Sequence, residues 1–497
     1  MPFLRRLLCA LLCTPILLSL SPAVHCAEMP LAEAISGKEH LVSWEGIPDP
    51  FRLFDGNASY GITLRDTASL TFHEPQGIGS AYLIFDIEYG PYTVTDPARD
   101  ITCTFGEDQF LHQFLNLEEA FGYAPETVTF TFPSGDAQVN ELTLFTPGAV
   151  PDNIQKWAPP KEGATDLMLF SAHGDDEQLF FAGLLPDYAA QRGYEVLVVY
   201  LTNHRNMSNL RCHEILNGLW SVGVTTYPVL GPFGDYFSKT RERAYALHQS
   251  HDQPEEALLG FVVEQLRRYR PQVAVGHDVN GEYGHGQHAM FSQLLCRGVE
   301  AAEDPAQYPE LAASYGTWQV PKTYLHLWPE NPITMDWDQP LSRFDGMTAF
   351  QVSIHRGFAC HKSQAGGITH FITDYESAAA IPRYSPCEYG LYRTTVGPDT
   401  VKQDFFENLT SYHQQQVMAA FAKNQEACLS ASQTSHTFAE TRQHAMEEHQ
   451  EAILLRRRAE ALARQKRQFQ RLVCLTVFGF LSAAVITVLI YKRGKKK

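Results

Sequence analysis

Cysteine pairs with metal-binding spacing are missing from this 497-residue chain: none of its ten cysteines forms a CxxC motif. A Cys-ligated structural zinc site is therefore unsupported. Away from the chain ends stand Cys103, Cys212, Cys296, Cys360, Cys387 and Cys428. Cys360 and Cys387 could pair in an exported protein, but their spacing does not decide it. No internal repeat is present, which excludes a repeat array. Positive charge is scarce over most of the length. The formal net charge of −17 understates this, because Arg5, Arg6 and the twelve basic residues from Arg456 onward, opposed there only by Glu460, sit at the ends. What lies between is near −30, which argues against nucleic acid as a partner. Nothing in the sequence sets an oligomeric state.

What is present gathers in two places. The apolar run Leu167-Met168-Leu169-Phe170 ends in Ser171-Ala172-His173-Gly174-Asp175-Asp176-Glu177. About a hundred residues later Val273-Ala274-Val275-Gly276 ends in His277-Asp278, followed by Glu282-Tyr283-Gly284-His285-Gly286-Gln287-His288. A buried strand of an open α/β sheet delivers residues to its carboxyl end, where ligands bind. Histidine plus carboxylate is a ligand set suited to hydrolytic Zn²⁺, though Fe²⁺ or Co²⁺ would accept it too. Taken alone, the acidic turn is equally a loop capping the next helix. A second strand-terminal H-x-x-H in the same domain favours a metal site.

Together the two motifs resemble the PIG-L/LmbE-like zinc N-deacetylases, whose signature is A-H-P-D-D-E early and H-x-x-H late. The resemblance spans residues 166–409. It implies His173, Asp176 and His288 as zinc ligands, Asp175 as general base, and protonated His285 with the Tyr283 hydroxyl as stabilisers of developing charge. Arg211 in Arg211-x-x-Glu214, and Asp235 in Gly231-Pro232-Phe233-Gly234-Asp235, fall where the family holds a sugar, although an ion pair and a turn aspartate explain them equally. Two positions depart from the pattern. Gly174 replaces the usual proline, which should loosen the turn, and Gln287 replaces a carboxylate or asparagine, leaving Asp278 or Glu282 to supply charge to His285. His361-Lys362-Ser363-Gln364 and Asp404-Phe405-Phe406-Glu407 resemble closing segments of the domain and read as scaffold or pocket rim.

The length and the 44% hydrophobic content support two or three units. Residues 1–27, with Arg5 and Arg6 before an apolar stretch, read as a signal peptide. Residues 41–159 hold short alternating runs separated by Gly, Pro and Asp, the pattern of a β-sandwich. There Leu53-Phe54-Asp55-Gly56-Asn57 and Val139-Asn140-Glu141-Leu142-Thr143-Leu144-Phe145 resemble discoidin-like, coagulation-factor type C jelly rolls, which implies either a glycan-holding module or a spacer. Residues 160–409 alternate strands, expected at 166–172, 195–202, 227–230, 272–277 and 323–328, with helices. That is the pattern of a doubly wound, mostly parallel, Rossmann-like sheet. Trp328 and Trp337 lie at and after the last strand, where core packing is expected rather than a sugar floor. Residues 410–471 are polar and nearly free of Gly and Pro, as in a helical stalk. Residues 472–491 carry no charge over a length that rises about 30 Å as a helix, and 492–497 form a basic tail. The expected whole is a single-pass cell-membrane protein with an extracellular catalytic domain. Arg456 to Arg471 crowd the outer side of that span, against the positive-inside rule, and the signal peptide decides the orientation. Its expected activity is zinc-dependent removal of acetyl from an N-acetylated amino sugar of a glycan. The alternatives are a membrane-tethered carbohydrate-binding protein with a vestigial catalytic domain, or a hydrolase of a different amide.

Overall fold

Alternation with a period of two decides the N-terminal layers. The computed structural model describes residues 30–432 apart from 65, 134, 136, 205–208 and 367–368. Ten strands fill its first part: β1 (Ala34–Ile35), β2 (Leu41–Glu45), β3 (Ile62–Leu64), β4 (Ala68–His73), β5 (Ser80–Phe85), β6 (Tyr92–Asp96), β7 (Ile101–Phe105), β8 (His112–Asn116), β9 (Thr127–Phe132) and β10 (Ala137–Phe145). They pair as β1-β10-β5-β8, with β3 also on β10, and as β2-β4-β9-β6-β7. In β4 and β9 every second side chain is buried. Leu70, Phe72, Val128 and Phe130 thus meet Leu83, Phe85, Leu142 and Leu144 of the other sheet in one core, which is a sandwich. β5 is buried on both faces, because Tyr82 and Ile84 pack outward against Phe145, Val150 and Ile154.

The next strands, β11 (Leu167–Ser171), β12 (Val196–Thr202), β13 (Val229–Phe233), β14 (Val273–Gly276), β15 (Lys322–His326), β16 (Pro332–Thr334) and β17 (Glu388–Thr394), form a second architecture. The sheet runs β13-β12-β11-β14-β15-β17-β16. Its first five members are parallel; β17 runs antiparallel to them and pairs in turn with β16, which is antiparallel to β17. The apolar strands are covered on both sides. Leu167 and Leu169 face Ile215, Leu216 and Leu219 of α1 (Asn209–Ser221). Met168 and Phe170 face Val262 and Leu266 of α3 (Glu255–Tyr269) and Leu294 of α4 (Gly286–Glu303), while α2 (Arg241–Ser250) adds Ala244. The five expected strands are present within three residues of their expected bounds. β16 and β17 were not foreseen. Gly390 interrupts the apolar pattern of β17, and a Cβ there would lie 2.3 Å from the Trp328 carbonyl, so close strand approach demands the residue that hides the strand. Trp337 is buried with its Nε1 donating to Pro386 O, and Trp328 packs on Tyr392; both serve packing.

From β11 the chain steps outward through β12 and β13, then returns to β14 on the other flank of β11. The crevice at the carboxyl ends of β11 and β14 is therefore the topological switch point. α4 leads out of it, and its far end is held by Arg267 of α3. This fully buried guanidinium donates to the carbonyls of Ala301 and Ala302 in the last turn of α4 and of Asp304, Gln307 and Tyr308 just beyond it, a cation placed at the negative end of the helix dipole.

Residues up to His413 form one unit and residues from Gln414 a second. The membrane-anchored architecture and the cell-membrane localisation expected above are corrected: among the described residues no helix is long and apolar enough to cross a membrane. The helix α5 (Tyr412–Ser432) has the length, at 21 residues. It also carries Gln414, Gln415, Gln416, Lys423, Asn424 and Glu426, whose desolvation in a bilayer is prohibitive. The expected signal peptide, the stalk beyond residue 432, the span over 472–491 and the basic tail lie outside the described residues.

Two outcomes follow from this packing. Arg267→Met removes five hydrogen bonds made by one buried guanidinium and should cost about 3 kcal/mol, with Arg267→Lys recovering part, as read by urea unfolding. The seam between sandwich and α/β layers holds Tyr82 Oη 2.6 Å from His112 Nδ1 and His112 Nε2 2.8 Å from His213 Nδ1, with Asp86 3.7 Å from His213. Burial, then His213, holds His112 well below the ordinary imidazole range. A depressed histidine contributes stability that is complete above its unfolded pKa of about 6.5 and fades as pH falls below it, by up to about 1.4 kcal/mol per unit. Melting temperatures between pH 8 and 5 should show this loss, and His112→Gln should flatten it.

Candidate metal centre

Two turns at the switch point build the site. After β11, Ser171 Oγ donates to His173 O and Asp176 Oδ2 accepts the His173 N–H. The turn is not loosened by Gly174, as its sequence suggests. Gly174 N–H donates to His204 Nε2 at 2.9 Å, a bond proline could not make, and its carbonyl accepts from Arg211 Nη2 at 2.7 Å. A Cβ on Gly174 would lie 2.4 Å from Ile215 of α1, so the glycine is required by close approach. After β14, His285 is the N-cap of α4 and His288 stands in its first turn. Tyr283, two residues before His285, has φ 46°, a left-handed conformation that costs a bulky residue about 1–3 kcal/mol and clusters at functional sites.

The three expected ligand atoms converge. His173 Nδ1 lies 3.1 Å from Asp176 Oδ2 and 3.2 Å from His288 Nε2, and His288 Nε2 lies 3.2 Å from Asp176 Oδ2. Donors about 2.0–2.2 Å from a tetrahedral ion stand about 3.3 Å apart, so this triangle suits one small divalent cation. Hydrogen bonds on the opposite ring edges turn the right nitrogens toward the triangle. His288 Nδ1 donates to Glu282 Oε2 at 2.8 Å, and His173 Nε2 faces Gln287 Oε1 at 3.1 Å. His277 Nε2 is 3.6 Å from Asp176 Oδ2, yet it is committed: it accepts the Ala172 N–H while its Nδ1 donates to Glu282.

Electrostatics divides the two aspartates. Burial and the adjacent Asp176 charge push Asp175 up to about 6, against the pull of Arg211. Asp176 is held well below the carboxylate range, since His288 and His173 outweigh its burial. Burial lowers His288, but Asp176 and Glu282 more than offset this and bring it to about 9. His285, expected as a protonated group, is instead pushed down to about 2 by burial and by its neighbours His288 and His173. Its Nδ1 accepts the Gln287 N–H, which leaves Nε2–H as a neutral donor. Neither Asp278 nor Glu282 charges His285, since Glu282 is occupied by His277, His288 and His326 and Asp278 by Asn280.

A cavity of about 380 Å³ opens onto this centre. His173, Asp175, Asp176, Arg211, Asp235, Tyr283 and His285 line it, and His288 lies behind them. Leu179, Phe180, Phe371 and Ile372 add an apolar wall. Arg211 is largely spoken for by Gly174 O, Asp175 and Glu214. Asp235 reaches 3.4 Å from His173 Nε2, closer to a ligand than its sugar-holding role foresaw. Glu214 accepts from Ser363 N and Oγ, docking the 361–364 segment on α1. Asp404 bonds Tyr188 and Arg192 as scaffold. Glu282 and Gln287, both in the late motif, organise the centre more than sequence reasoning allowed.

Residues 168–297 match the family described as "PIG-L: GlcNAc-PI de-N-acetylase". A 1D-myo-inositol 2-acetamido-2-deoxy-alpha-D-glucopyranoside deacetylase of Catenulispora acidiphila is 30% identical over 34% of this chain and 58% of its own length. One from Geodermatophilus obscurus is 30% identical over 32% and 60%. The N,N'-diacetylchitobiose deacetylase of Pyrococcus horikoshii is 15% identical over 38% of this chain and 70% of its own, with a TM-score of 0.27. The chain spans somewhat under two thirds of the length of these curated sequence relatives. Both histidine turns fall inside the matched region.

Proposed function

We propose that the protein is a zinc-dependent N-deacetylase that hydrolyses the acetamide of an N-acetylated amino sugar. The observation that carries this reading is the triangle of His173 Nδ1, Asp176 Oδ2 and His288 Nε2, which would hold the ion. Zinc there supplies Lewis acidity and water of lowered pKa. Asp175, poised near neutrality and facing the cavity, accepts the proton of the attacking water and returns it to the departing amine. His285, through Nε2–H, and Tyr283, whose hydroxyl burial and the neighbouring Asp176 keep protonated, stabilise the negative charge developing on the carbonyl oxygen. Asp235 and Arg211, both lining the cavity, orient the sugar. The relatives that act on acetylated glucosamine derivatives support this substrate class. A second reading, hydrolysis of a bulkier amide by the same groups, is favoured by the apolar wall of Leu179, Phe180, Phe371 and Ile372. The sandwich is read as a glycan-holding module on its two-sheet architecture and its discoidin-like segments.

Acid release from a panel of N-acylated glycans by the purified protein separates the readings: acetate from amino sugars supports the first, a larger acid the second, and none with zinc bound sinks both. Asp175→Asn should keep about one zinc per chain and lose about 10²–10⁴ in kcat, whereas His288→Ala should lose both. Equal zinc loss in the two variants would overturn the division of roles. Asp235→Asn should raise KM for the sugar about tenfold with zinc content unchanged; wild-type kinetics would remove it from the sugar site.

A further inference from the structure

Gln287 is fully buried between the two metal-ligand histidines of different motifs, and its amide has four partners of defined sense. Oε1 accepts the Tyr236 N–H at 3.1 Å, and Nε2 donates to the Gly234 carbonyl at 2.9 Å. A backbone N–H only donates and a carbonyl only accepts, so these two bonds fix which end of the amide is which. The other two contacts then follow. Nε2 faces His248 Nε2 at 3.1 Å, whose ring can accept because its Nδ1 donates to Gln253 Oε1 at 2.8 Å. Oε1 faces His173 Nε2 at 3.1 Å, so that nitrogen carries a proton, and Nδ1 is the nitrogen of His173 left to face Asp176 and His288.

We propose that Gln287 is a positioning residue with two linked tasks: its carbonyl holds His173 in the metal-binding tautomer, and its amide N–H₂ ties that ligand to the 234–236 loop that carries Asp235. The inference rests on the metal-centre reading above. A carboxylate at 287 could perform the first task and not the second, since it has no proton for Gly234 O or His248. A leucine could perform neither. The residue that departs from the family pattern between the late histidines thus couples the ion to the substrate rim.

The test uses the whole protein, with zinc affinity read by competition against a chromophoric chelator and kinetics on N-acetylglucosamine. Gln287→Leu should weaken zinc binding about 10–100-fold, the range for lost outer partners of a ligand, and raise KM. Gln287→Glu should bind zinc within about threefold of wild type and still raise KM. Wild-type zinc affinity in Gln287→Leu, or a tenfold loss in Gln287→Glu, would overturn the proposal. If Gln287→Leu does not melt cooperatively, Gln287→Glu alone decides by the same limits. His288→Ala keeps the two readings apart: zinc retained there defeats the metal centre itself, whereas zinc lost there and kept in Gln287→Leu defeats only the role of Gln287.

Discussion

The Glu282 carboxylate is wholly buried, and taking such a charge out of water costs several kcal/mol unless every lone pair finds a donor. It finds four: the Nδ1 atoms of His277, His288 and His326 at 2.6–2.9 Å and the Asp278 N–H at 3.1 Å. These bonds hold Glu282 well below the usual carboxylate range despite its burial. They also orient three imidazole rings at once. With Nδ1 committed to Glu282, His288 turns its Nε2 to the metal side, while the Nε2 lone pair of His277 accepts the Ala172 N–H and so braces the turn after β11. Remove this carboxylate and the late histidines have no reason to present the same edge to the same point.

The sheet brings the two motifs together. β11 and β14 are neighbours in the sheet although about a hundred residues separate them, because β12 and β13 are laid down on the far flank before the chain returns. Each strand is apolar along its whole length, so it sits between helix layers and exposes polar residues only where it ends. Arg267 and its five carbonyl partners anchor the far end of α4, whose first turn carries His288. The geometry of the crevice is therefore set by packing some distance from it.

Much of this was legible beforehand, for local reasons. Leu167 to Phe170 and Val273 to Gly276 announce buried strands by unbroken apolarity, and the residues that follow them announce a site by their chemistry. β16 and β17 were missed because Gly390 and Pro332 are poor strand residues kept by close contacts in the finished sheet. The charge-free segment at 472–491 gave a membrane reading by hydropathy alone, while the longest described helix, α5, is too polar to span.

Residue type and order pointed to the candidate ligands and the candidate base, and determined the α/β alternation and the sandwich preceding it, since these depend on side-chain chemistry and on periods of two and 3.6 residues. Protonation and tautomer were decided only by tertiary contacts. His285 is neutral because it is buried beside two other imidazoles. Asp175 and Asp176, adjacent in sequence and identical in chemistry, part ways because only Asp176 meets His173 and His288. Gly174 tightens its turn instead of loosening it because His204 and Ile215, thirty residues and more away, close on it. Those differences arise from desolvation and from partners distant in the chain, which no local pattern of residues encodes.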